Sequence, residues 1–176
     1  MRQLTRLGLL GSVAAILFVL EGLAPRPLPW MKLGLGNLPV VVSLLLYGGS
    51  AALGVAAVKV AIGGLLSGGL AGPAFVIGGG ASLASVVVMA AIRRHTGSAF
   101  SPIGLSVLGA VAHQLTQLLI AWQYVGHVGL FSLVPLFLLT GLLSGALIGL
   151  LAYWSWRRLA RADGLPGGPD PPSARV

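Results

Sequence analysis

One carboxylate, Glu21, precedes Asp163 in this chain, and it stands near the end of an apolar run of helix length, with the cations Arg26 and Lys32 just beyond it. A lone carboxylate in such surroundings has to face protein, water or a ligand, because lipid offers it no hydrogen bond. Lys59 lies in the middle of another apolar run, where insertion scales put the cost of an ammonium at about 2.5 kcal/mol or more. Ionisable groups so placed generally mark a substrate or ion pathway, so Lys59 is read as lining a polar cavity. Snorkelling along its stem, or a purely structural pair with Glu21, is the alternative. For Glu21, an ion pair with Lys59, Arg26 or Lys32 and a ligand contact both stay open. The three cations Arg26, Lys32 and Lys59 against the one anion Glu21 leave +2, a balance that favours an anionic or strongly polar ligand.

Two further groups bear on the same site. Asn37-Leu38-Pro39 has the form of a helix cap with proline in the first turn. An ordinary cap is the plain reading, while free N–H groups beside Arg26 and Lys32 would suit an anion. His113 and Gln117 share a helical face at i,i+4, with Gln114 adjacent; ligand contact and interhelical hydrogen bonding are equally open for them. No second His or carboxylate sits at ligand spacing, so no metal site is expected. The chain has no cysteine, which removes disulfides and thiolate chemistry, and no cofactor is expected.

The elements that must carry these residues belong to a membrane. The 176 residues are 56% hydrophobic and only 8% charged, with a mean hydropathy of +0.97, whereas soluble domains carry about a quarter charged residues. The net charge of +8 does not point to nucleic acid, because the basic residues flank apolar runs instead of gathering on one face. The expected fold is all-α, an integral membrane bundle of six transmembrane helices. The spans are placed at about Leu7–Ala24, Asn37–Tyr47, Ala51–Leu70, Ala74–Ile92, Pro102–Tyr124 and Phe131–Trp154. The second is short, either a half-helix or one continued by Leu33–Gly36. The first is expected to stay in place, since Pro25 and Glu21 suit signal cleavage poorly. Residues 1–156 form the transmembrane domain, and 157–176 read as a basic, then Gly/Pro-rich, disordered tail.

Arginines at 2 and 6, at 93 and 94, and at 157, 158 and 161 fall on one side of six crossings. By the positive-inside rule that side is cytoplasmic, with both termini there and the protein in the cell membrane. Arg26 and Lys32 then lie on the opposite side, an exception in a regular pattern. Trp122, Tyr124 and His127 at one end, and Trp154 and Trp156 at the other, read as interfacial belts. Gly11 and Ala15 form a small-residue pair that packs against another helix or a partner subunit. The triple glycine 78–80 reads as close packing or local unwinding, not as a phosphate loop.

The runs Glu21-Gly-Leu-Ala-Pro-Arg-Pro-Leu-Pro-Trp-Met-Lys-Leu-Gly-Leu-Gly-Asn37, Gly63-Gly-Leu-Leu-Ser-Gly-Gly69 and Ser101-Pro-Ile-Gly-Leu-Ser-Val-Leu-Gly-Ala-Val-Ala-His-Gln114 resemble the Gx transporter family. Its members are also designated heptaprenyl diphosphate synthase component I. The similarity spans roughly Leu17 to Ala152 and implies kinship with the substrate-binding S components of energy-coupling factor (ECF) transporters. Those have six helices, cytoplasmic termini and a ligand captured from outside. It also implies that the first-helix stripe, Gly-xxx-Ala here where S components carry Ala-xxx-Ala, meets a coupling subunit. Chain-elongating prenyl synthases hold Mg²⁺ on clustered carboxylates, whereas Glu21, Asp163 and Asp170 are scattered, so no enzyme is expected.

The resulting expectation is a substrate-capture subunit for a small polar or anionic molecule, energised by a partner subunit. Its site comprises Glu21, Arg26, Lys32, Asn37, Lys59, His113 and Gln117. Two alternatives are a non-catalytic membrane accessory of polyprenyl diphosphate or quinone biosynthesis, and a structural subunit of a membrane redox complex.

Overall fold

A computed structural model describes residues 2–23, 34–66, 70, 72–97 and 99–163. It is all-helical: α1 (Arg2–Leu23), α2 (Leu38–Tyr47), α3 (Gly49–Leu66), α4 (Pro73–Thr96), α5 (Pro102–Val125) and α6 (Val134–Asp163). Short 3₁₀ turns at Leu35–Asn37 and Val128–Leu133 lead into α2 and α6. Among the described residues, five helices are long and apolar enough to cross a membrane; Leu35–Tyr47 is shorter. Local chemistry accounts for several of the boundaries. Gly48, at φ 89°, breaks α2 from α3, a conformation that glycine adopts without strain. Ser101 accepts a hydrogen bond from the Gly104 N–H at 3.1 Å with Pro102 in the first turn of α5. Gly126, at φ 70°, ends that helix.

The short α2 is the centre of the bundle. Pro39 to Leu45 are buried without interruption, so no face of this helix is left for lipid. Its length is therefore no obstacle: enclosed by α1, α3 and α6, it does not have to match the hydrocarbon thickness. Arg93 Nη2 donates to the Leu45 carbonyl at 3.2 Å, satisfying one of the acceptors that a helix end leaves open.

Close approach depends on glycine. Gly141, Gly145 and Gly149 recur every four residues on α6; a Cβ at 145 would lie 2.7 Å from Val107 Cα and one at 149 the same distance from Ile103 Cα. This stripe lets the α5 and α6 backbones nearly touch, the packing mode that membranes favour. The triple glycine lies within an unbroken α4, so close packing is the reading that holds and unwinding is not seen. Gly79 and Gly80 face Val60 and Ile120, while a Cβ at Gly78 would meet nothing within 4 Å.

Gly11 and Ala15 are buried inside the bundle, Gly11 with Val58 of α3 against it. Gly11 thus makes the contact with another helix of the same chain that its small size allows. α6 continues past residue 156, so residues 157–163 are helical. Leucine, alanine and arginine, all good helix formers, carry it past the last tryptophan. The remainder of the proposed tail, 164–176, lies outside the described residues.

Candidate functional site

A cavity of about 330 Å³ lies among α1, the turn before α2, and α3 to α6. Chain direction places it. The C-termini of α2 and α4 stand at one end, as the Arg93–Leu45 contact shows. Glu21 near the end of α1, Ala74 to Gly78 at the start of α4, and His113 to Gln117 in the second half of α5 line the cavity. It therefore occupies the half of the bundle away from the arginine clusters.

Lys59 is 2% exposed, the largest fully buried side chain described, and faces this cavity. Its Nζ donates to Asn37 Oδ1 at 2.6 Å and to Ser82 Oγ at 2.9 Å. The ring of Phe18 lies 5.9 Å from the ammonium, within the range of a cation–π interaction. That ring lies over Gly63, where any Cβ would overlap it. Neighbours on α1, α2 and α4 thus hold one cation of α3, so the ammonium is oriented by the bundle and does not snorkel.

Asn37 departs from the expected cap. Its backbone is α-helical and its side chain makes no capping bond, because the carboxamide oxygen is turned to Lys59. The helical path also begins earlier, at Leu35, and the Asn37 N–H already donates to the Gly34 carbonyl at 2.8 Å. The N–H of Asn37 is accordingly engaged within the chain. Glu21 is 7% exposed, and its Oε1 accepts the N–H of Gly34, which is in the left-handed conformation at φ 80°. A residue with a side chain would be strained there.

The structure brings Glu21, Asn37, Lys59, His113 and Gln117 to a single cavity, although they come from three helices and a turn. Arg26 and Lys32 lie outside the described residues. Phe18, Ser82, Gln114 and Ser144 also line the wall. Gln114 joins α5 to α6 through Thr140 Oγ1 at 3.2 Å. Ser82 had a legible signal: Gly78, Ser82 and Ser85 share a helical face of an otherwise apolar segment. A second chamber of about 30 Å³ adjoins the first, sharing Gly34, Asn37, Ala110 and Ser144 with it. Among the described residues, no group of three His, Cys, Asp or Glu is placed to hold a metal ion.

Fold and site together define a helical membrane-protein bundle with a cavity in one half that carries charged and polar side chains. The family model described as heptaprenyl diphosphate synthase component I matches residues 10–154, and the chain belongs to that family. No curated protein and no solved structure matches it.

Proposed function

We propose that this protein is the substrate-capture subunit of a transporter, similar to an ECF S component, and that its ligand is a small polar molecule bound in the cavity around Lys59. The observation that carries the reading is the burial of one ammonium, held by Asn37 and Ser82, on the wall of a cavity with Glu21, His113 and Gln117. A charge buried merely for packing gains little, since an apolar side chain of equal volume usually serves as well. A charge beside a ligand-sized space has a use. The cavity volume lies at the lower end of the range for small-molecule sites. The chain supplies binding and a partner subunit supplies energy; catalysis is no part of this role.

The family description favours a second reading, a non-catalytic membrane accessory that holds a polyprenyl diphosphate. Native mass spectrometry of the detergent-purified protein separates the two. A water-soluble polar molecule that is retained by the wild type and lost in Lys59→Met supports capture. A co-purifying polyprenyl diphosphate supports the accessory role and would overturn the first reading.

A further inference from the structure

We infer that the arginine end of α6 is a binding face for an anionic phospholipid, with Arg157, Arg158 and Arg161 meeting the headgroup phosphate and Trp154 standing where the acyl chains begin. The inference is independent of what the cavity holds.

Length sets the depth of these residues. The 30 residues of α6, Val134–Asp163, extend about 45 Å at the rise of an α-helix, whereas the hydrocarbon layer is about 30 Å thick and takes about 20 residues to cross. The turn after Trp154 therefore stands at the level of the headgroups. α6 runs antiparallel to α5, since Gly141 meets Gln114 and Gly149 meets Ile103. Its C-terminus lies beside the start of α5, which follows the end of α4 that carries Arg93 and Arg94.

Register sets the face. Trp154, Arg157, Arg158 and Arg161 follow the i, i+3, i+4, i+7 spacing of a single helical face. Trp154, Arg158 and Arg161 are exposed, and Arg157 is half-buried. The stripe thus looks out of the bundle.

Arg157 is prepared for a phosphate. Its Nη1 donates to the Tyr153 hydroxyl at 3.0 Å. Its guanidinium lies 5.3 Å from the centre of the Tyr153 ring and 5.9 Å from that of Trp154, within the range of a cation–π interaction. The two rings themselves meet edge to face. The guanidinium is therefore held by its aromatic neighbours before any ligand arrives. It carries five N–H donors, and a planar fork so held can meet two oxygens of one phosphate at once.

Charge chooses among lipids. Basic residues gathered just beyond a membrane-spanning helix attract anionic headgroups, each by about fivefold in affinity. A zwitterionic headgroup has the same phosphate but brings a cationic group with it, which three arginines repel. An acidic protein surface would also suit the charge, but Trp154 marks the membrane boundary, where a headgroup is the neighbour.

In the test, the full-length protein is stripped of native lipid in detergent and titrated with phosphatidylglycerol or with phosphatidylcholine of the same acyl chains, and lipid-bound species are read by native mass spectrometry. Phosphatidylglycerol is expected to bind tighter by about fivefold or more. Arg158→Gln, at an exposed position, should lower that affinity about fivefold, whereas Arg94→Gln, which removes the same charge from α4, should keep most of it. Arg157→Lys retains the charge but loses the fork, and should bind phosphatidylglycerol more weakly than the wild type with an unchanged melting temperature. Equal binding of the two lipids overturns the inference and leaves the face to an acidic protein partner. Equal losses from Arg94→Gln and Arg158→Gln, or full affinity in Arg157→Lys, would reduce the face to diffuse charge and overturn it as a site. Binding of sn-glycerol 3-phosphate as tight as that of the lipid would assign the arginines to a soluble phosphate and overturn it as well.

Discussion

Lys59 shows how a single side chain serves fold and site differently. Its hydrogen bonds to Asn37 and Ser82 join α3 to the turn before α2 and to α4, but keeping an ammonium out of water costs free energy that an apolar chain of similar length does not. Lys59→Met is therefore expected to keep its helical circular dichroism and a melting temperature at or above that of the wild type, while the retained ligand falls at least about tenfold. A lower melting temperature with ligand retained would make Lys59 a brace. Ser82→Ala removes one of its acceptors and should weaken retention by about tenfold or less, the worth of one modest hydrogen bond. Lys59 and Glu21 were legible in the sequence because a charge is conspicuous in an apolar run. The choice of Asn37 as partner was not: a carboxamide can cap its own helix or reach another, and only the neighbouring ammonium decides.

Among the helices, glycines of the same type have opposite roles according to what stands in front of them. Gly145 faces the Val107 backbone, whereas Gly78 faces the cavity. Gly145→Leu should force α5 and α6 apart and lower stability by about 1–3 kcal/mol or more, the range for overpacking, seen as a fall in melting temperature. Gly78→Leu should leave the melting temperature close to that of the wild type and abolish ligand retention, because the new side chain fills the cavity. Equal destabilisation by the two would mean that the space beside Gly78 is not kept open for a ligand. Sequence spacing revealed the glycine at position 78 as one of three in a row, but not which of the three faced a void. The α6 stripe is legible as three glycines four apart, but only the fold shows that it meets α5.

For the whole molecule, the regular alternation of direction from α1 to α6 brings the arginine-bearing helix ends together and leaves the cavity in the other half. If that arginine end faces the cytoplasm, as the positive-inside rule requires, the cavity opens from outside, the arrangement a capture subunit needs. The chain lacks cysteine, so single substitutions can report orientation. Arg94→Cys and Arg158→Cys should react with an impermeant maleimide only after the membrane is breached, and His127→Cys in intact cells. The reverse pattern would place the cavity on the cytoplasmic side and favour the lipid diphosphate accessory.

Six apolar helices, their approximate limits and the gathering of arginines at one end follow from the sequence alone, because lipid and water act on each segment according to its own residues. The buried carboxylate and ammonium are legible for the same reason, since neither has a place in lipid. What they face is a matter of tertiary structure. The sequestration of the short α2, the assignment of Gly11 to an intrachain contact, the diversion of Asn37 to Lys59 and the cavity enclosed by residues from Glu21 to Ser144 all depend on distances between helices. Those distances are set by interlocking side chains and glycine clefts on separate segments, so no single stretch of the chain contains them.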